Sequence, residues 1–94
     1  MHDKILWIIV NYYSELKEPS YFDKANMIEM KSLSKWATME LYTYILEKNS
    51  TISAIEDFMF MMEDFAVNSK KNSHIFYTAA DIARDIYDIV LASL

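Results

Sequence analysis

Apolar residues recur along this chain at intervals of three and four, the repeat that lines one face of an α-helix. Ile5, Ile9, Tyr12 and Leu16 share a face, with Leu6, Ile8 and Tyr13 beside it, which predicts a first helix over residues 3–17. Ile55, Phe58, Met59, Met62, Phe65 and Ala66 predict a third helix to about residue 67, opened by Ser53 and Glu56 in the spacing of a capping box. A fourth, over residues 73–93, carries two adjacent seams, Ile75-Ala79-Ile82-Ile86-Ile89 and Phe76-Ala80-Ala83-Tyr87-Val90, with Ser73 as its cap. Half of its circumference is therefore apolar. Such a helix suits the centre of a bundle or one wall of a dimer.

Between the first and third helices lies a longer segment, residues 20–48, entered through Pro19 with Ser20 and Asp23 in a capping arrangement. Its apolar face shifts near Ser32 and Ser34, so a break is expected within residues 30–35, followed by an inward stripe of Leu33, Ala37, Leu41 and Tyr44. Polar stretches at 17–20, 48–51 and 68–73 separate the four segments, each short enough to join antiparallel neighbours. The pattern thus specifies an all-α fold: a small antiparallel bundle of four helices in one domain, residues 1–94, with about two thirds of the chain or more helical.

Composition strengthens this reading. The 94 residues include no Gly and a single Pro, which disfavours an antiparallel sheet built on tight hairpins and excludes glycine-rich phosphate loops. At 53% apolar the chain can bury a core without disulfides. The absence of Cys removes thiolate metal sites and cysteine nucleophiles, and accords with a reducing, cytoplasmic setting. The apolar run Ile5–Val10 is too short for a secretory leader, and no run approaches the roughly 18 residues of a membrane span. The sequon Asn49-Ser50-Thr51 is accordingly read as a helix-end turn.

Charge limits the partners. The net charge is −5, with most of the deficit in the second half, where Lys70, Lys71 and Arg84 face seven acids. Nucleic acid and anionic membranes both call for a basic surface, so neither is expected as a partner, whereas a basic protein is.

The same inventory leaves little for catalysis. His2 and His74 are the only histidines, and neither has a Glu three residues before it, the motif that metal sites in helical bundles often use. Asp81, Asp85 and Asp88 share one helical face, but with Arg84 among them they read as a solvated surface. Seven methionines read as core filling rather than soft-metal ligands. No enzymatic activity, cofactor or metal is expected.

One pattern points to binding. Glu56-Asp57-Phe58 recurs a heptad later as Glu63-Asp64-Phe65. On a helix Phe58 and Phe65 turn inward, while Phe60 and Met61 stand outward among Glu56, Asp57, Glu63 and Asp64, an apolar anchor with an acidic rim free of internal cations. Trp7, on the side of the first helix away from Ile5 and Ile9, adds a second candidate contact. These seven residues are the candidate partner-binding site. The expected function is a non-enzymatic protein–protein interaction module that self-associates as a homodimer and acts as a small acidic regulator or inhibitor of a basic partner. The alternative is a helical bundle that encloses an apolar small ligand.

Overall fold

A computed structural model describes residues 2–16 and 24–94, with side chains described for 4–16 and 32–94. Four helices follow in order: α1 (His2–Ser14), α2 (Lys24–Glu47), α3 (Ile52–Asn68) and α4 (Ser73–Ala92). The described residues contain no strand, and the helical content exceeds the expected two thirds. The all-α four-helix bundle is therefore the fold.

Its core is one cluster drawn from all four helices. Ile5 and Ile9 of α1, Leu41 and Ile45 of α2, Ile55 and Phe58 of α3, and Ile86 and Val90 of α4 are almost completely buried in it. The helix with the widest apolar surface takes the centre, since α4 packs most extensively on α3 and also touches α2 and α1. Ala79, Ala80 and Ala83 are buried there, and side chains no larger than methyl let the neighbouring backbones come close. Both seams of α4 are thus used inside the protomer. The exception is Ile89, which was expected in a seam but is substantially exposed.

The expected break at residues 30–35 does not occur, because α2 is one continuous helix from Lys24 to Glu47. No Gly or Pro lies within it, and the Thr38 hydroxyl donates to the Ser34 carbonyl at 2.7 Å, the back-bond that accommodates hydroxyl side chains inside a helix. Its apolar positions drift because α2, as one continuous helix, serves α1, α3 and α4 together. The capping pair Ser20 and Asp23 lies outside the described residues.

Two helix starts also differ from expectation. Thr51, with extended backbone, precedes α3, so Ser53 falls inside the first turn; its hydroxyl contacts the Thr51 hydroxyl at 3.4 Å, and Glu56 bonds elsewhere. Asn72, not Ser73, precedes α4, and neither flanking residue supplies a side-chain cap. The end of α2 explains the first shift. Asn49 and Ser50 adopt left-handed backbone (φ 62° and 51°), and the Ser50 amide donates to the Ile45 carbonyl at 2.8 Å. That bond closes α2 in the manner of a Schellman motif with Asn where Gly is usual, and it delivers half-buried Ile52 to the core as the next helix begins.

Candidate functional site

The outer face of α3 carries the expected anchor. Phe60 is 53% exposed, and Val67, one heptad further, is 73% exposed. Helical spacing of 100° per residue puts Asp57 and Asp64 on one side of this line and Glu56 and Glu63 on the other. The two acidic rows differ in their partners. Asp57 and Asp64 are exposed. Glu56 accepts a 2.9 Å hydrogen bond from the Tyr87 hydroxyl, and Glu63 pairs with Arg84 at 3.3 Å, both across the α3–α4 contact. The rim expected to be free of internal cations is therefore half engaged, because the heptad repeat turns both glutamates toward α4.

Met61 and Phe65 exchange the roles assigned to them. Met61, expected outward, is half-buried and packs against the core. Phe65, expected inward, is 46% exposed, its ring edge-to-face with Phe76 at 5.5 Å between centroids. Both lie on the flank of α3 that faces α2, where they help line a cleft of about 370 Å³. The opposite wall comes from α2, which contributes Trp36, Glu40 and Glu47, and Phe76 in the first turn of α4 also lines it. At its base Tyr44 and the buried Phe58 meet with ring centroids 5.7 Å apart. Lys48 places its ammonium 5.7 Å from the Tyr44 ring, so this ring face already accepts a cation.

Trp7 is 64% exposed on α1, as expected, and lies on a different surface from Phe60. One turn further along α1, Val10 lines a groove of about 320 Å³ between α1 and α2, opposite Met39 and Tyr42. No lining residue of this groove carries a charge at neutral pH. Met39 and Leu46 extend the apolar surface along α2. The seven candidate residues are thus divided: Trp7 on α1, Met61 in the α2–α3 cleft, Phe60 with Asp57 and Asp64 on the outer face of α3, and Glu56 with Glu63 turned toward α4.

The exposed apolar residues of α2 were missed, though a signal for them exists. Trp36, Met39, Thr43 and Leu46 follow the alternating three- and four-residue spacing of a helix-packing seam. Trp36, Glu40 and Glu47 likewise share one face.

Elsewhere the chemistry is quiet. Asp85 accepts a 3.3 Å hydrogen bond from the Tyr12 hydroxyl, tying α4 to α1, while Asp81 and Asp88 are exposed. Among the described residues no group of three or more His, Asp or Glu side chains is placed to hold a metal ion. Also among them, no helix is long and apolar enough to cross a membrane. Comparison with known proteins adds no relative: no family model, curated protein or solved structure matches the chain.

Proposed function

We propose that this chain is a non-enzymatic protein-interaction module that binds a basic partner through the outer face of α3 and acts as its regulator or inhibitor. The observation that carries the reading is the exposed Phe60–Val67 line with Asp57 and Asp64 beside it. Two large apolar side chains with a carboxylate border match the layout of an interface core and its rim, and the net charge of −5 favours a basic counterpart. A chain without cysteine suits the reducing cytoplasm, where this module is proposed to act.

Co-purification from the native host tests this, comparing the unaltered chain with a Phe60→Ala, Val67→Ser variant whose helical content is verified. A basic protein retained by the first and lost by the second is the expected outcome. Retention by both would overturn the assignment to this face.

The module is further proposed to self-associate through the α1–α2 face. Its support is the uncharged groove between Val10 and Met39, together with exposed Trp7 on α1 and Leu46 on α2. Two copies that each carry −5 repel least where neither presents a carboxylate, and an apolar surface is satisfied by its own copy. An alternative reading places an apolar small molecule in the same groove, whose volume of about 320 Å³ lies at the small end of ligand sites.

A further inference from the structure

We propose that the cleft between α2 and α3 is a guanidinium pocket that receives an arginine side chain of the basic partner. This assignment rests on the reading above that the partner is basic, and it adds the residue type that is recognised and the place where it is held. The carrying juxtaposition is an aromatic-walled cleft with two carboxylates on one wall. Trp36, Glu40 and Glu47 lie along a single face of α2, and Phe65 and Phe76 stand among the lining residues contributed by α3 and α4.

Charge selects a cation. Glu40 and Glu47 are exposed, and Asp57 and Asp64 lie on the adjoining surface of α3, so these carboxylates outweigh the Lys48 ammonium at Tyr44 and the local charge favours a further cation. Aromatic faces attract cations as well, and the position of Lys48 over Tyr44 is an instance within the protein itself. The α1–α2 groove makes an internal contrast: it is similar in volume but lined by no carboxylate, and so offers a cation no counter-charge.

Among cations, the mixture of rings and carboxylates selects the guanidinium. Arginine is planar, weakly hydrated and able to stack on a ring, and its forked N–H groups donate to carboxylate oxygens. An ammonium sheds its water at greater cost on entering an aromatic cleft. A quaternary ammonium uses the rings but has no N–H to give to Glu40 or Glu47. An apolar side chain leaves both carboxylates without a role. Trp36 is 38% exposed and Phe65 46%, so ring surface is open to an incoming side chain without any helix moving.

The test is a titration of the full ¹⁵N-labelled chain with a short peptide alternating glycine and arginine, set against its lysine and citrulline counterparts and against tetramethylammonium. The two tryptophans report separately through their indole N–H signals, Trp36 from the cleft and Trp7 from α1, outside the cleft lining. Saturable movement of the Trp36 signal alone is expected, with the arginine peptide binding roughly tenfold more tightly than the lysine peptide and citrulline not binding. A Glu40→Gln, Glu47→Gln variant, altered only at exposed positions, should weaken the arginine peptide by about tenfold. Equal affinity for arginine and lysine peptides with Trp36 unmoved overturns the pocket yet leaves a basic partner in place. Failure of both peptides to bind the chain overturns the pocket and counts against the basic partner too. Tighter binding of tetramethylammonium than of the arginine peptide overturns the choice of arginine.

Discussion

The Tyr87 hydroxyl donates a 2.9 Å hydrogen bond to Glu56 Oε1, joining α4 to α3 along their most extensive contact. Tyr12 and Asp85 form the counterpart between α1 and α4 at 3.3 Å. Each bond needs a protonated phenol, so each couples helix packing to alkaline pH.

Both phenols are held above their ordinary value of about 10. Burial is the main cause at Tyr12, followed by the charge and hydrogen bond of Asp85. At Tyr87 the hydrogen bond to Glu56 comes first, with partial burial and the charges of Glu56 and Asp88 behind it. The folded chain therefore holds these protons more tightly than the unfolded chain. Their contribution to stability is complete below about pH 10 and is lost as pH rises through the folded values. Thermal melts should fall more steeply above about pH 10 for the unaltered chain than for a Tyr12→Phe, Tyr87→Phe variant, with parallel behaviour at neutral pH. Identical alkaline slopes would show that neither bond couples to folding.

Phe58 and Phe60 stand two residues apart on α3 with opposite surroundings, Phe58 buried in the core and Phe60 on the outer face. Phe58→Ala should lose about 3–5 kcal/mol of folding stability by opening a cavity. Phe60→Ala should lose less than about 1 kcal/mol, as surface changes do. Denaturant unfolding measures both, and a core-sized loss at Phe60 would remove it as a binding residue.

Self-association through the α1–α2 face predicts a dimer at a chain concentration of about 100 μM, where even pairs with a Kd near 10 μM associate. Sedimentation equilibrium should then find Met39→Glu monomeric with its helical content unchanged, because Met39 is 59% exposed and the new carboxylate must be desolvated only in the dimer. A monomeric unaltered chain, or a dimer indifferent to Met39→Glu, would count against this face.

The turn after α2 places Asn49 in left-handed backbone, a region Asn tolerates and β-branched residues do not. Asn49→Val should therefore lower stability by about 1–2 kcal/mol, while Asn49→Gly, free of the Cβ clash, should lose none of it. Equal stabilities for the two variants, read from thermal melts, would contradict the strain argument.

Helical character, the number of helices and most of the core were legible in the sequence because the 3.6-residue period is local: Ile5 with Ile9, Leu41 after Ala37, and Ile55 with Phe58 and Met62 declare one inward face wherever the neighbour stands. The absence of Gly and the breaks at Asn49-Ser50 and near Asn72 were equally plain. The period could not say which flank of a helix meets which neighbour. Glu56 and Glu63 face Tyr87 and Arg84, while Met61 and Phe65 take the flank toward α2, a division that depends on residues of other helices distant in sequence. The drifting face of α2 suggested a break for the same reason, since three neighbours drawing on one continuous helix leave no single stripe. Periodicity determines that a side chain turns inward or outward; only the packing of the other helices decides whether an outward position becomes open surface, the partner of another side chain, or the wall of a cleft.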